Sequence, residues 1–201
     1  MNKIDDAELH QIVQRVVRQV LEPTPAPAKA APAPASTPAP APAKVPEAPM
    51  GKVVAIGADH GGFELKEMLK VELRIWGYEF LDVGTHSKDA VDYPDFAHAV
   101  AQQVSTGKAW RGIMIDGAGI GSCIVANKVP GVRAGMAYDL SSANNSREHN
   151  DTNVLTLGAG LIGQNLAKQI VKTWLTTPFG GDRHQKRINK ITSVEKQYLK
   201  R

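Results

Sequence analysis

The fold of this chain is indicated by one stretch of sequence, VVAIGADHGGFELKEMLKVELRIW, which runs from Val53 to Trp76. It begins with five apolar or small residues, the composition of a strand that is buried on both faces. After the polar and glycine-rich Asp59–Gly62, apolar residues return at the three- and four-residue spacing of an amphipathic helix, and Gly77 ends the pattern. The stretch therefore predicts a strand, a glycine-rich turn and a helix, which together form one unit of an α/β fold.

The same pattern recurs along the rest of the chain. Four further apolar runs, each followed by helical spacing, lie at residues 80–84, 112–116, 132–137 and 153–157. Strands that alternate with helices form a parallel sheet with helices on both of its faces. We therefore predict that residues 51–201 form a doubly wound, Rossmann-like α/β domain, a three-layer α/β/α structure around a mainly parallel five-stranded sheet.

The amino-acid composition limits the classes of molecule that the protein is expected to bind. The chain has 201 residues, a formal net charge of +4, 5% aromatic residues and a single cysteine, Cys123. The basic excess suits anionic small molecules, but the lack of basic runs and the few aromatic residues argue against nucleic-acid binding. A lone cysteine forms no internal disulfide, so a reducing, cytoplasmic setting is expected. No apolar stretch of 18 residues and no signal-peptide pattern is present, so neither membrane spanning nor export is expected.

The first fifty residues differ from the domain in composition. Ten of the thirteen prolines lie between Pro23 and Pro49, so residues 23–50 are expected to be a disordered Pro/Ala-rich linker. Ahead of the linker, residues 5–21 place seven apolar side chains on one face of a helix. These are Leu9, Ile12, Val13, Val16, Val17, Val20 and Leu21. The chain thus divides into an amphipathic helix at 1–22, the linker, and the domain at 51–201.

A short amphipathic helix on a long Pro/Ala tether resembles the encapsulation peptides of enzymes that are packed inside bacterial microcompartments. The resemblance implies that residues 5–21 dock on shell proteins or co-packaged cargo, and that the protein resides in the lumen of such a compartment. Two alternatives are open: the helix packs on its own domain or a sister subunit, or it lies on a membrane surface. The scarcity of lysine and the absence of Trp and Phe on the apolar face weaken the membrane alternative.

Polar and glycine-rich residues lie next to three of the predicted strands. In a doubly wound sheet, ligands bind beyond the carboxyl ends of the strands. Asp59 and His60 follow the first strand, Asp116–Ser122 follows the third, and His149 and Asn150 come just before the last. The glycines of the middle segment leave backbone amides that suit an oxyanion or a phosphate, although they also suit a plain tight turn.

A second glycine run, Gly158–Gly163, has the G-x-G-x-x-G spacing of a dinucleotide site. That fingerprint belongs on the first βα turn and requires an acidic residue at the end of a following strand. The run here follows the last predicted strand, and Asp182 lies in a Gly-Gly-Asp-Arg-His loop. We therefore predict no nicotinamide cofactor.

Five separated motifs, taken in order, closely resemble the type B ribose-5-phosphate isomerases over about residues 52–199. They are Gly57–Phe63, Asp92-Tyr93-Pro94, the Gly117–Gly121 loop with Ala126-Asn127-Lys128, Arg147–Leu155 and Arg183–Arg187. The resemblance implies an isomerase that interconverts ribose 5-phosphate and ribulose 5-phosphate through an enediolate, without a metal or nucleotide cofactor. It also implies a homodimer, or a tetramer, with active sites shared between subunits.

The same resemblance assigns roles to individual residues. Arg183 and Arg187, assisted by His60, would bind the phosphate, for which guanidinium groups are well suited. His149 would be the acid–base that opens the furanose ring. Asn150, Asp59 and Tyr93 would orient the sugar hydroxyls. The loop amides would stabilise the developing oxyanion; they belong to Gly117, Ala118, Gly119, Ile120, Gly121 and Ser122.

The chain departs from the commonest family pattern at two positions. Asp116 stands where the family has its catalytic cysteine, and Ala118 stands where it has threonine. Asp116 resembles the Ile-Asp pair in the A subunit of galactose-6-phosphate isomerase, and a carboxylate is a competent base next to a carbonyl. We therefore predict that Asp116 is the base and that Cys123 is a small core residue.

These departures leave two alternatives open. One is an isomerase of another aldose phosphate, such as galactose 6-phosphate or allose 6-phosphate. The other is a non-catalytic protein that binds a sugar phosphate.

Overall fold

The computed structural model describes residues 52–199 and, in the N-terminal arm, residues 7, 10, 11 and 13–15. The described residues of the arm are helical and exposed, and Val13, on the predicted apolar face, is 51% exposed. The side chains of His10 and Gln14, one turn apart, lie 3.2 Å from each other. The rest of the predicted helix and the linker at 23–50 lie outside the described residues.

Within residues 52–199, strands and helices alternate until two helices follow the last strand. The strands are β1 (Val53–Ala58), β2 (Glu79–Asp82), β3 (Arg111–Asp116), β4 (Ala134–Met136) and β5 (Val154–Gly158). The helices are α1 (Phe63–Ile75), α2 (Tyr93–Ser105), α3 (Ile120–Ala126), α4 (Leu140–Glu148), α5 (Gln164–Thr176) and α6 (Asp182–Tyr198). None of the helices in this part of the chain is long and apolar enough to cross a membrane.

The five strands form one sheet in the order β2-β1-β3-β5-β4, and every neighbouring pair is parallel. The predicted doubly wound α/β/α architecture is confirmed. The chain places β2 on one side of β1 and β3 on the other, so the direction of winding reverses between β1 and β3. Such a reversal opens a crevice at the carboxyl ends of the two strands, which is where doubly wound sheets bind their ligands.

Each face of the sheet has its own apolar core, because successive residues of a strand point to opposite faces. Ile56 of β1 belongs to the core covered by α1, α4 and α5, whereas its neighbour Ala55 belongs to the core covered by α2 and α3. Leu69 and Trp174 on the first face and Val100 on the second are fully buried. The two cores hold the ends of β1 and β3 in fixed positions.

The fourth strand is shorter than the predicted 132–137. The amide of Val132 donates to the carbonyl of Val129 at 3.1 Å, which forms a turn. The amide of Arg133 donates to the side-chain oxygen of Asn153 at 2.7 Å. Because both amides have partners outside the sheet, pairing with β5 begins only at Ala134.

Candidate active site

Asp59 connects the turn after β1 to the neighbouring strand β3. Its amide donates to the carbonyl of Ile115 at 3.1 Å, and its buried carboxylate accepts a hydrogen bond from the amide of Gly62 at 2.9 Å. Both bonds fix the path of the chain from β1 into α1. Asp59 therefore lies at the crevice between β1 and β3.

His60 and Tyr93 bring the segment ahead of α2 to the same crevice. The exposed His60 ring has Nδ1 at 3.2 Å from both the amide nitrogen and the carbonyl oxygen of Val91. Tyr93 begins α2, and its ring lies against Gly121 so closely that an added Cβ there would be 2.5 Å from the ring. The absence of a side chain at position 121 therefore lets the Tyr93 ring lie against the start of α3.

Asp116, the predicted base, is buried at the end of β3 and is the acceptor for four donors of the following loop. One carboxylate oxygen accepts from the amides of Ala118, at 2.8 Å, and Gly119. The other accepts from the amide of Ser122, at 3.1 Å, and from the Ser122 hydroxyl. This carboxylate therefore determines the conformation of the loop that the sequence assigned to oxyanion binding.

The predicted oxyanion amides fall into two groups. Those of Ala118, Gly119 and Ser122 already donate to Asp116. Those of Gly117, Ile120 and Gly121 donate to no acceptor within residues 52–199. The loop thus offers the second group of amides to a ligand, because amides point toward the space at the start of a helix.

The second glycine run packs against this loop. An added Cβ at Gly158 would lie 2.6 Å from the carbonyl oxygen of Ala118, and the amide of Gly160 donates to the carbonyl of Gly117 at 3.0 Å. The run therefore allows a close approach of two backbones, which accounts for Gly158 and Gly160. In the described part of the chain, no group of three or more His, Cys, Asp or Glu residues is placed to hold a metal ion.

A second cluster forms where α4 ends and α6 begins. The rings of His149 and His184 stack with their centroids 4.2 Å apart and their planes at 8°. The side-chain amide of Asn145 lies 2.9 Å from Nδ1 of His149. Arg183 and Arg187, both exposed, lie one turn apart on α6 beside this pair. The second cluster therefore joins the predicted ring-opening residue to the predicted phosphate ligands.

His184 lies at the centre of this cluster, although the sequence analysis assigned it no role. It is buried, and its Nε2 lies 3.3 Å from Nε of Arg183. Burial lowers the pKa of the His184 imidazole below its usual 6.5, and the neighbouring basic groups of His149, Arg183 and Arg187 lower it further. The sequence signal was its place inside the Arg183–Arg187 motif, but its burial and its stacking partner required the fold.

Asp151 holds the turn that carries His149 and Asn150. Its backbone is left-handed, with φ at 43°, and its carboxylate pairs with Arg133 at 2.9 Å and with the buried Arg147 at 2.8 Å. Asn150 itself is exposed and lines an open cleft of about 450 Å³ beside β4 and α4. Asp151 and Arg147 both lie in the Arg147–Leu155 motif at i, i+4 spacing, but sequence reasoning assigned them no role, because the burial of Arg147 and the second partner, Arg133, depend on the fold.

The two clusters remain apart on a single chain. Asp59, His60, Tyr93 and the Asp116–Ser122 loop form the first cluster, at β1 and β3. The second cluster lies where α4 ends and α6 begins, near the amino ends of β4 and β5, because Arg133, just ahead of β4, donates to the carbonyl of Asn150 at 3.2 Å. No hydrogen bond, ion pair or ring contact between residues 52–199 joins one cluster to the other. A ligand that contacts both clusters must therefore bridge groups that have no direct contact within residues 52–199.

Comparisons with known proteins show that this domain has relatives of similar sequence. The family model described as Ribose/Galactose Isomerase matches residues 54–191. Ribose-5-phosphate isomerase B of Escherichia coli is 44% identical over 146 residues, which are 73% of this chain and 98% of that protein. D-erythrulose-4-phosphate isomerase of Pectobacterium atrosepticum is 40% identical over 148 residues, which are 72% of this chain and 95% of that protein.

Solved structures give the same result. The structure of ribose-5-phosphate isomerase B of Clostridium thermocellum superimposes with a TM-score of 0.72 at 49% identity, and the match covers 73% of this chain and 99% of that one. The family match contains both clusters, whereas residues 1–53 lie outside it.

Proposed function

Since the chain belongs to the ribose/galactose isomerase family, we propose that it interconverts ribose 5-phosphate and ribulose 5-phosphate inside a bacterial microcompartment. The observation that carries the catalytic part is the meeting of Asp59, Tyr93 and the Asp116 loop at the crevice between β1 and β3. The Escherichia coli and Clostridium thermocellum relatives, both named as ribose-5-phosphate isomerases, support the choice of substrate.

Phosphate binding is assigned to Arg183 and Arg187. Their side chains are exposed and one helical turn apart, so both guanidinium groups can approach one phosphate. His60, which is exposed on the first cluster, supplies a further donor. The phosphate would then anchor one end of an open-chain sugar while its other end reaches Asp116.

Ring opening is assigned to His149. When the Asn145 side chain donates to Nδ1, the neutral ring carries its proton on Nε2. The side chain is about one third exposed, at 34%, so Nε2–H can reach the ring oxygen of a furanose. Protonation of that oxygen, with loss of the hydroxyl proton from C1, gives the open-chain aldehyde.

Proton transfer is assigned to Asp116. The carboxylate takes the proton from C2, the electrons form an enediolate, and the same proton returns to C1 while the oxygens exchange theirs. The Ser122 hydroxyl is the one donor on Asp116 that can rotate away, because the other three are backbone amides. The free amides of Gly117, Ile120 and Gly121 suit the enediolate oxygen.

A panel of substrates tests this proposal. We expect kcat/KM to be highest for ribose 5-phosphate, with galactose 6-phosphate, allose 6-phosphate and erythrose 4-phosphate as comparisons. Asp116, Ala118 and the Pectobacterium relative favour a different aldose phosphate as the second candidate. A higher kcat/KM for one of the other sugars would select that candidate, and binding without turnover would select the non-catalytic alternative.

We further propose a homodimer in which each site combines the first cluster of one subunit with the second cluster of the other. The separation of the clusters on one chain supports this assembly. So do Ile120 and Ile124 on α3, which are 54% and 57% exposed beside the first cluster, because exposed apolar residues next to a site suit a subunit interface. Sedimentation should show twice the mass of the chain, and a fully active monomer would contradict the proposal.

Targeting is proposed for residues 5–21. The described residues of this segment are helical, and Val13 is exposed on its apolar face. A fluorescent protein fused to residues 1–50 should collect inside co-expressed microcompartment shells, whereas the same fusion with Val13→Asp and Val16→Asp should stay diffuse. Diffuse fluorescence from the unaltered fusion would exclude the targeting role.

A further inference from the structure

His184 contacts the two residues to which different parts of the reaction are assigned. Its ring stacks on His149, the residue of ring opening, with 4.2 Å between centroids. Its Nε2 lies 3.3 Å from Nε of Arg183, a residue of phosphate binding. Arg183 precedes His184 on α6, but His149 comes from α4, so His184 joins two elements as well as two functions.

The contact with Arg183 defines the form of the His184 ring. A guanidinium Nε–H is always a donor, so Nε2 of His184 must be the acceptor and the ring must be neutral with its proton on Nδ1. That Nδ1 has no partner among the described residues. The titratable and charged groups that face it are Glu148 and His149, at the end of α4, and Arg183 and Arg187, on α6, and of these only Glu148 favours protonation of His184. The surroundings therefore keep the ring in the form that the contact needs.

The backbone holds His184 in this place independently of its side-chain contacts. The amide of Gly180 donates to the carbonyl of Glu148 at 2.9 Å, which ties the start of α6 to the end of α4. An added Cβ at Gly180 would lie 3.5 Å from Cδ2 of His184. The ring thus sits between two fixed segments, and a shift of its plane would be passed on to both His149 and Arg183.

We propose that His184 is a positioning residue that sets the ring plane of His149 through stacking and the guanidinium of Arg183 through the Nε2 acceptor. This inference rests on the proposed isomerase function and extends it. Ring opening and phosphate binding are then aligned by one side chain. In acid, protonation of His184 removes the acceptor and places a positive charge beside Arg183. Arg183 and His149 then lose the relative orientation that His184 gives them.

Two substitutions separate the two contacts. His184→Phe keeps an aromatic ring for stacking but has no acceptor, so it should raise KM for ribose 5-phosphate about tenfold and leave kcat within about twofold. His184→Gln keeps an acceptor but has no ring, so it should lower kcat about tenfold and leave KM within about twofold. A role in packing alone would lower the melting temperature and change kcat and KM together in both variants, and that result would overturn the proposal.

The pH dependence and a binding measurement complete the test on the full-length chain. KM of the wild type should rise more steeply toward acid than KM of His184→Phe, and parallel curves would count against the proposal. Inorganic phosphate should bind His184→Phe about tenfold more weakly than it binds the wild type and His184→Gln. If the wild type turns over no sugar phosphate, the proposed function fails. The phosphate measurement still decides the role of His184, because equal binding of phosphate by all three proteins would overturn that role.

Discussion

At the scale of single residues, Asp116 connects the shape of the β3–α3 loop to the proposed chemistry. A carboxylate can accept all four donors of that loop, whereas an amide or a thiol in its place cannot. Its position was predictable, because it follows an apolar run at the carboxyl end of a strand. Its second role was not, since the return of residues 118–122 toward its own oxygens is a property of the folded loop.

Asp116→Asn should therefore reduce both stability and turnover. The side-chain NH2 would face backbone donors, which should lower the free energy of unfolding by about 1–3 kcal/mol. Loss of the base should lower kcat by about 10²-fold or more. Denaturant unfolding and steady-state kinetics measure the two effects, with Glu79→Gln, at the opposite end of the sheet, as the control. Unchanged turnover would exclude Asp116 as the base.

The lowered pKa of His184 predicts a pH-dependent stability. Below about pH 6.5 the unfolded chain takes up a proton on this residue, whereas the folded chain resists it until the lower folded pKa is reached. The free energy of unfolding should therefore fall as the pH drops from 6.5 through that window. His184→Gln should lack this contribution, so unfolding curves from pH 8 to pH 5 should diverge between the two proteins. Parallel curves would show that the folded pKa is not lowered.

At the scale of elements, the turn from α4 into β5 shows which parts of the structure can be predicted from sequence patterns and which cannot. The bounds of β5 were predicted to within one residue, because a buried strand appears in the sequence as a run of apolar residues. The turn ahead of it depends on Asp151, whose positive φ and pairing with Arg133, 18 residues away, are properties of the folded backbone. Likewise, β4 begins two residues later than predicted. The amides of those two residues donate to a side chain and to a turn carbonyl, and sequence periodicity does not reveal such bonds.

Asp151→Asn tests the energetic role of that turn. Asparagine adopts the left-handed conformation readily, so the substitution removes the charge and leaves the backbone preference. Because Arg147 is buried, loss of its partner should lower the free energy of unfolding by about 1–3 kcal/mol after allowance for the half-exposed carboxylate. Asp182→Asn is the matched control, since Asp182 also has a positive φ but forms no ion pair among the described residues. This substitution should lower the free energy of unfolding by less than about 1 kcal/mol. Equal costs would refute the ion-pair explanation.

At the scale of the whole molecule, the domain carries two separate clusters of candidate site residues, and the arm carries a proposed targeting segment. The fold places the first cluster at the β1–β3 crevice and the second at the end of α4, near the amino ends of β4 and β5, so one chain presents the two clusters at separate places. In an isologous dimer each cluster can meet the other cluster of the partner subunit, which gives two sites related by the twofold axis. The site residues named from the sequence motifs lie in these two clusters, but the part played by His184 and the separation of the clusters on one chain are visible only in the fold.

The most direct test of this account measures ribulose 5-phosphate formation by mixed subunits. Asp116→Asn and His149→Asn homodimers should each be inactive with ribose 5-phosphate. After co-expression, half of the dimers should be mixed, each with one intact site of two, so about one quarter of wild-type turnover should return. Recovery at that level would establish the reaction, both residues and the shared site together. An active wild type with no recovery on mixing would contradict the shared site, and a wild type inactive with ribose 5-phosphate would contradict the proposed isomerase.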